Sequence, residues 1–318
     1  MRILIIGAGV TGSIYASFLI SSKKRLEKKL KMSVEMNILA RGETYKKIRN
    51  NGLKINHYLQ KIITIDNIPV IKTLESNDKY DYVLIFLRKN QMKDLIPEIS
   101  SNSSLNFVFI GNNGTGADEY KNFININRII LGFPHVGGSR SENSIISVHR
   151  DQPVITLGSA NPKNRKSLGF LKKILKISRI KVNLCGNMES WLKYHIALVT
   201  PIANAIYFNG GDNLSLSKNN DVLTIMIRAI REGVKALINL KYPVKPMKLF
   251  SMMAFPDFLI KKRLKKLLAS DIGKLVLYDH CLAAPEEMEK ISMEFQSIIK
   301  DSSIKSDNIN RLFSIYSK

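Results

Sequence analysis

The chain has 318 residues, enough for one large domain or two ordinary domains with hydrophobic cores. Hydrophobic residues make up 45% of it and charged residues 24%, as is ordinary for a globular protein. The longest later apolar run, Ile196–Phe208, is too short to cross a bilayer, and Cys185 and Cys281 have no metal-ligand spacing. We therefore expect a cytoplasmic protein with free thiols, no membrane span and no metal site.

The formal net charge is +23, and lysines are spread along the whole chain. The two densest clusters, Lys23–Lys31 and Lys261–Lys266, are interrupted by leucines, which is typical of the solvated face of an amphipathic helix. No motif with stacking aromatic residues accompanies them, so we do not expect nucleic acid to be the main partner. A positive field that attracts an anionic small-molecule substrate and cofactor is the simpler interpretation. A homodimer is left open.

The N-terminal stretch predicts a strand, a glycine turn and a helix that extends to about Met32. Apolar residues Ile3–Ile6 lead directly into three glycines, and apolar residues then recur at helical spacing. In this arrangement the first glycine permits a tight turn, the second lets a diphosphate approach the backbone, and the third lets the helix pack on the strand. The helix N-terminus offers N–H groups to phosphate. We therefore predict a dinucleotide site formed by Gly7, Ala8, Gly9, Val10, Thr11 and Gly12. The alternative is a turn that only shapes a strand–helix corner.

The second predicted strand, Val34–Leu39, bears on the choice of cofactor. A site for NAD usually has an acidic residue after this strand, to accept a hydrogen bond from the ribose 2′-OH, whereas a site for NADP needs a cation near the 2′-phosphate. Here Arg41 follows the strand, and the only nearby acid is Glu43. We therefore predict NADP(H). The alternative for Arg41 is a surface arginine in a loop between strand and helix.

Further strands complete an α/β pattern. Residues 52–72 predict short strands, and three buried-type strands are followed by polar residues at their carboxyl ends, where ligands bind in open α/β sheets. The residues predicted to converge there are Arg88, Asn113 and His135, together with the glycine turn and Arg41. The remaining predicted elements of this domain are the strands Tyr80–Leu87, Asn106–Ile110, Arg128–Gly132, Ile145–Val148, Val154–Leu157 and Ile180–Leu184, and the helix Lys163–Leu175. Ile145–Val148 and Val154–Leu157 are predicted to be antiparallel.

From Asn187 onward the pattern becomes helical. The predicted helices are Met188–Phe208, bent or broken near Pro201, and then Asp221–Leu240, Pro246–Leu268 with an interruption at Pro256, Ser270–Ala284, Pro285–Lys300 and Asp307–Tyr316. The sequence therefore predicts a Rossmann-like domain over residues 1–185, followed by an all-α domain over residues 186–318.

Several short motifs together resemble the ketopantoate reductase family over nearly the whole chain. They are the glycine turn Gly7–Gly12, Arg41, Arg88 with Gln91, Asn113-Gly114, Trp191-Leu192-Lys193, and Glu287 near the start of a late helix. The resemblance implies reduction of a 2-oxo acid to a 2-hydroxy acid with NADPH. It also implies that Lys193 is the general acid, since an ammonium can stabilise and then protonate the oxygen that becomes negative as hydride reaches the carbonyl carbon.

The resemblance assigns roles to other residues. Asn113 would contact cofactor and substrate, Arg88 would contact the cofactor, and Glu287 would bind a substrate hydroxyl. The alternatives are a surface lysine for Lys193, a turn asparagine for Asn113 and a helix-start acid for Glu287.

The chain departs from the family pattern at the substrate-recognition positions. Where the family has asparagines one and two turns after the lysine, this chain has Ala197 and Pro201, and Leu275 lies near the position of its substrate-binding serine. Thr200 and Asn204 lie near the same helical stripe as Lys193 and are candidates for replacement contacts. Two alternatives therefore stay open: a reductase or dehydrogenase of another carbonyl or imine, and a non-catalytic NADP-binding protein.

Overall fold

The computed structural model describes residues 1–247 and 255–316. The chain divides into two compact units. The first contains Met1–Gly111 and Ala117–Met188, and the second contains Asn112–Gly116 and Glu189–Lys318. A short loop from the middle of the sequence thus belongs with the C-terminal helices. Residues 248–254 of the predicted Pro246–Leu268 helix lie outside the described residues.

The first unit is built on two β-sheets. Its strands are β1 (Arg2–Ile6), β2 (Glu35–Leu39), β3 (Leu53–His57), β4 (Ile62–Asp66), β5 (Val70–Ile71), β6 (Tyr82–Ile85), β7 (Phe107–Ile110), β8 (Ile129–Pro134), β9 (Gly137–Arg140), β10 (Ile145–Val148), β11 (Val154–Ser159) and β12 (Lys181–Leu184). The larger sheet has the order β12-β11-β8-β7-β6-β1-β2-β5, and its strands are parallel except where β11 pairs with β8. β1 is buried between parallel neighbours, which explains its continuous apolar sequence.

Among the described residues, the first unit also has five α-helices, of which the first, third and fifth contact strands of the larger sheet. They are α1 (Val10–Ser21), α2 (Lys23–Leu30), α3 (Gly42–Asn51), α4 (Met92–Ser100) and α5 (Arg165–Ile177). The single helix predicted as far as Met32 is instead two, divided at Ser22, whose backbone has φ −97° and ψ 4°. The Ser22 hydroxyl accepts a hydrogen bond from Arg25 at 2.9 Å, and serine favours such local bonds over a helix interior.

The smaller sheet has the order β4-β3-β10-β9, and α1 packs against it. The predicted strands Ile145–Val148 and Val154–Leu157 therefore lie in different sheets: β10 is antiparallel to β9 and parallel to β3, whereas β11 is antiparallel to β8. Sequence analysis did not find β9, because its residues, GGSR, have no apolar alternation.

The second unit is helical. Its longer helices are α6 (Met188–Phe208), α7 (Asn213–Lys218), α8 (Asn220–Asn239), Asp257–Leu268, Pro285–Ile299 and Asp307–Phe313. The prediction of a Rossmann-like domain followed by an all-α domain is thus confirmed. α6 continues through Pro201 instead of breaking there, and Asp271–Ala283 includes a π-helical turn at Lys274–Tyr278. No helix in residues 1–247 and 255–316 is long and apolar enough to span a bilayer.

Candidate functional site

The three glycines in the turn after β1 differ in the space around them. Gly7 has φ +100°, and a Cβ there would lie 2.6 Å from the Phe86 carbonyl oxygen. A Cβ on Gly12 would lie 2.0 Å from the Gly7 carbonyl oxygen, so only glycine allows α1 to start against the turn. A Cβ on Gly9 would meet no atom within 4 Å. Gly7 and Gly12 therefore shape the corner, whereas Gly9 leaves open space beside the backbone.

The start of α1 has the features that a diphosphate requires. Gly9 is the N-cap residue, and neither a capping side chain nor an acidic residue occupies the first turn. The N–H groups at the N-terminus of a helix point outward and carry partial positive charge. Ala8 is buried, and Val10 and Thr11 are partly buried in the same turn. The open space at Gly9 and this N-terminus fit the diphosphate of a dinucleotide.

Arg41 is the N-cap residue of α3, directly after β2. Its guanidinium forms an ion pair with Glu98 of α4 and donates a second hydrogen bond, at 3.4 Å, to the Lys72 carbonyl. Its side chain is 53% exposed, so solvent weakens the ion pair. The predicted cation is therefore present after β2, but it already has an acidic partner.

A second arginine, which sequence analysis missed, contacts the glycine turn itself. Arg140, the last residue of β9, donates a hydrogen bond from Nη2 to the Ala8 carbonyl at 2.7 Å. Its Nη1 lies 3.5 Å from the hydroxyl oxygen of Thr44, in the first turn of α3. Partial burial and the nearby charge of Arg88 lower the pKa of Arg140. No motif in the sequence connects residue 140 with residue 8, so only the tertiary structure shows this contact.

Arg88 and His135 follow β6 and β8, as predicted. Arg88 is exposed at the start of the Lys89–Gln91 turn, and its backbone N–H donates to the Gln91 side chain at 3.1 Å. The His135 ring forms a hydrogen bond with the Thr156 hydroxyl at 2.7 Å, which ties it to β11. Of these two side chains, Arg88 is the one whose positive charge contributes, after burial, to lowering the pKa of Arg140.

In the second unit, Lys193 lies in the second turn of α6 and is only 7% exposed. Its ammonium nitrogen lies 5.1 Å from the centre of the Tyr242 ring, a cation–π distance. A buried lysine loses hydration, and an aromatic face replaces part of that interaction. Lys193 is therefore not the solvent-exposed lysine of the alternative interpretation.

Glu287 is a buried acid with an unsatisfied oxygen. It lies in the first turn of Pro285–Ile299, is 4% exposed, and accepts a hydrogen bond through Oε1 from the Asn112 amide at 3.2 Å. Its Oε2 has no hydrogen-bond partner among the described residues, nor has Oδ1 of Asn112. Burial, with a smaller contribution from the Glu287 charge, raises the pKa of Cys281 to about 12. A buried carboxylate oxygen without a donor is costly, and a ligand hydroxyl or N–H would satisfy it.

Asn204 belongs to a buried polar cluster. Its Oδ1 accepts hydrogen bonds from Tyr316 at 2.9 Å and from Ser292 at 3.3 Å. Tyr207 donates its hydroxyl to the Cys281 carbonyl at 2.5 Å, and burial, followed by Cys281, Tyr316 and Glu287, raises its pKa. The other proposed replacement, Thr200, donates its hydroxyl to the Ile196 carbonyl of its own helix at 2.8 Å. Of the two, Asn204 is therefore the one that belongs to this cluster.

Asn113 is buried and uses its amide within its own turn. Its Oδ1 accepts from the backbone N–H of Gly116 at 2.9 Å, and its Nδ2 donates to the Gly116 carbonyl at 2.8 Å. Its neighbour Asn112 is the residue that reaches Glu287. Gly114, which follows Asn113, lies close to α6: a Cβ there would lie 2.2 Å from Cδ1 of Ile196, so that side chain would have to shift. Asn113 thus fixes the loop that presents Asn112.

Comparison with known proteins gives a consistent result. The family model described as "Ketopantoate reductase PanE/ApbA" matches residues 3–162. No curated protein matches the chain significantly. Among solved structures, D-mandelate dehydrogenase with NADH and anilino(oxo)acetate has a TM-score of 0.79 at 14% identity, covering 100% of this chain and 97% of that one.

Two 2-dehydropantoate 2-reductases are also similar over nearly their whole length. The protein from Porphyromonas gingivalis W83 has a TM-score of 0.73 at 12% identity, covering 100% of this chain and 99% of that one. The protein from Geobacter metallireducens GS-15 has a TM-score of 0.69 at 15% identity, with coverages of 100% and 99%. At such identities the similarity is one of fold.

Proposed function

Since the chain belongs to the ketopantoate reductase family, we propose that it reduces a 2-oxo acid to the corresponding 2-hydroxy acid with NADPH. The family is one of oxidoreductases that act on CH–OH groups. The observation that carries the proposal is the burial of Lys193, 7% exposed, in the second turn of α6. A lysine ammonium held largely out of water is suited to stabilise and then protonate an oxygen that becomes negative.

The cofactor would be held at Gly7–Gly12. The N–H groups at the start of α1 bind the diphosphate, and Arg41 and Arg88 contribute positive charge. Bound NADPH supplies the hydride for the reduction. The lack of an acidic residue directly after β2 supports NADPH over NADH, because no carboxylate there would repel a 2′-phosphate.

The residues of the second unit would bind the substrate and supply the proton. Lys193 Nζ donates a hydrogen bond to the carbonyl oxygen, stabilises the negative charge that develops on it, and then transfers a proton to it. The Tyr242 ring contributes a cation–π contact to this ammonium, at 5.1 Å from the ring centre. Glu287 Oε2 accepts a hydrogen bond from a hydroxyl or N–H of the substrate. Asn204 and Asn113 contribute to recognition, the latter through the loop that it fixes.

The substrate is proposed only as a class. Ala197, at the position of a family asparagine, is fully buried, and a Cβ on Gly233 of α8 would lie 3.4 Å from its Cβ. An asparagine at 197 would therefore have little room, so the family's recognition pattern for ketopantoate is not reproduced at this position. The similarity to D-mandelate dehydrogenase supports testing aryl-substituted 2-oxo acids beside ketopantoate.

The same departures favour a second candidate, a protein that binds NADP(H) without turning over a 2-oxo acid. A spectrophotometric assay separates the two. The purified chain is mixed with NADPH and a panel of 2-oxo acids that includes ketopantoate and aryl glyoxylates, with simple ketones and imines as controls. Loss of NADPH absorbance with 2-oxo acids alone supports the proposal. Tight NADPH binding without oxidation by any compound supports the second candidate.

A further inference from the structure

Arg140 occupies a position between two segments that both matter for cofactor choice. One arm of its guanidinium donates to the Ala8 carbonyl, in the glycine turn, and the other lies 3.5 Å from the hydroxyl of Thr44. Thr44 is in the first turn of α3, directly after the carboxyl end of β2. In dinucleotide-binding sheets, the group that distinguishes NADP from NAD lies between the glycine turn and this end of β2.

Arg140 also differs from Arg41 in its partners. Arg41 forms an ion pair with Glu98, which neutralises part of its charge. Among the residues that the structure describes, no carboxylate pairs with Arg140, and its contacts are a carbonyl and a hydroxyl. The side chain is accessible to solvent, so a ligand can reach it. An arginine fork with no acidic partner suits a phosphate, which accepts two parallel N–H bonds.

We propose that Arg140 is a specificity-determining residue that binds the 2′-phosphate of NADPH, and that the preference for NADPH depends on it more than on Arg41. This inference rests on the proposed use of NADPH. The nearby Arg88 strengthens it, because burial and then the positive charge of Arg88 disfavour the charged form of Arg140, and a bound anion would offset that repulsion. Thr44 supplies a hydroxyl that can donate to the same phosphate.

A purely structural role is the competing explanation. Arg140 would then serve only to hold the Ala8 carbonyl and thereby the glycine turn. The two roles differ in which ligands they affect. Loss of a 2′-phosphate contact weakens only ligands that carry the phosphate, whereas loss of turn geometry weakens every ligand that binds at the turn.

The test measures binding by calorimetry with four ligands: NADPH, NADH, adenosine 2′,5′-bisphosphate and 5′-AMP. In Arg140→Ala we expect the affinity for the two 2′-phosphorylated ligands to fall roughly tenfold or more, the scale of a charge-assisted hydrogen bond. The affinity for NADH and 5′-AMP should change by less than about threefold. Arg140→Lys, which keeps the charge but loses the fork, should show an intermediate loss.

Two further variants calibrate the result. Arg41→Ala should lose less of the preference than Arg140→Ala. Arg150→Ala removes an exposed arginine just after β10 and should bind all four ligands as the unmodified chain does. Thermal melts of each variant confirm that it is folded.

The outcomes distinguish this inference from the function on which it rests. If the unmodified chain binds NADPH and NADH equally, the proposed NADPH preference fails. If the unmodified chain prefers NADPH and Arg140→Ala keeps that preference, only the role of Arg140 fails. An equal loss for all four ligands in Arg140→Ala would instead assign Arg140 to the structure of the turn.

Discussion

At the scale of single residues, the burial of Lys193 is the feature on which its proposed role as proton donor depends. Its ammonium is removed from water and lies above the Tyr242 ring, in the second turn of α6. A lysine held in this way has few orientations, and its proton can be delivered to one defined place. The chemistry proposed for this protein therefore depends on one nitrogen atom more than on any other.

Replacement of Lys193 tests that dependence. Lys193→Met keeps an unbranched apolar side chain in the buried site but removes the proton donor. We expect kcat with an accepted 2-oxo acid to fall about 10²-fold or more, the usual scale of general acid catalysis, while the affinity for NADPH changes little. Lys235→Ala, which removes an exposed lysine of α8, is the matched control and should keep full activity. Unchanged turnover in Lys193→Met would show that another group supplies the proton.

The site residues predicted from the sequence come from motifs that are local in the chain. The glycine turn and Trp191-Leu192-Lys193 are contiguous, so their spacing carries the information. Arg140 could not be found, because its partner Ala8 is 132 positions away and lies in a different strand–turn segment. The assignment of Asn113 stays a prediction, but the sequence could not reveal that Asn112, rather than Asn113, reaches Glu287.

At the scale of elements, two glycine substitutions in the corner between β1 and α1 should have different effects, one on cofactor binding and the other on stability. Gly9 has open space and Gly12 has none. Gly9→Asp should abolish NADPH binding, because a carboxylate would occupy the place of the diphosphate, while the melting temperature stays within a few degrees. Gly12→Ala should lower the free energy of unfolding by about 1–3 kcal/mol, the typical cost of overpacking.

Calorimetry for NADPH and thermal melts measure both effects in the same preparations. Gly169→Ala is a control for Gly12→Ala, because Gly169 lies within α5 and a Cβ there meets no atom within 4 Å. It should be neutral or stabilising, since alanine is the better helix former. Normal NADPH binding by Gly9→Asp would mean that the cofactor site lies elsewhere.

The elements themselves differ in how far the sequence determines them. α6 was predicted with its observed bounds, because its apolar residues repeat at helical spacing over many turns. Pro201 does not end it: the turn is held by packing on neighbouring helices, and tertiary contacts outweigh the loss of one hydrogen bond. The smaller sheet could not be predicted, because β9 is polar. The apolar residues of its partner β10 predict a strand but not the strand with which it pairs.

At the scale of the whole molecule, the charge of +23 is concentrated in part on two helices that pack against each other. α2 carries a single acidic residue, Glu27, and α5 carries none. Their buried residues are apolar, such as Leu26 and Leu171, and their lysines are mostly exposed. These helices therefore present a solvated basic surface, as the leucine-interrupted cluster in α2 predicted.

Such a surface should bind DNA weakly and only at low salt. We expect the affinity for duplex DNA to fall steeply as salt rises to physiological concentration, because exposed lysines contribute mainly counterion release. A variant with Lys28, Lys29, Lys172 and Lys173 each changed to Glu should lose the low-salt binding and keep its reductase activity. A tight, sequence-selective complex that persists at physiological salt, measured by fluorescence anisotropy, would make nucleic acid a principal partner instead.

Hydride transfer from NADPH to a 2-oxo acid can be measured directly by isotope transfer. NADPH carrying deuterium at C4, in each of its two stereochemical forms in turn, is incubated with the chain and a pooled panel of 2-oxo acids. Mass spectrometry then identifies any 2-hydroxy acid that contains the label. We expect one 2-hydroxy acid, or a few related ones, with a single deuterium at C2, formed from one of the two labelled cofactors and lost in Lys193→Met. Tight binding of NADPH with no deuterated 2-hydroxy acid from any member of the panel would contradict that expectation.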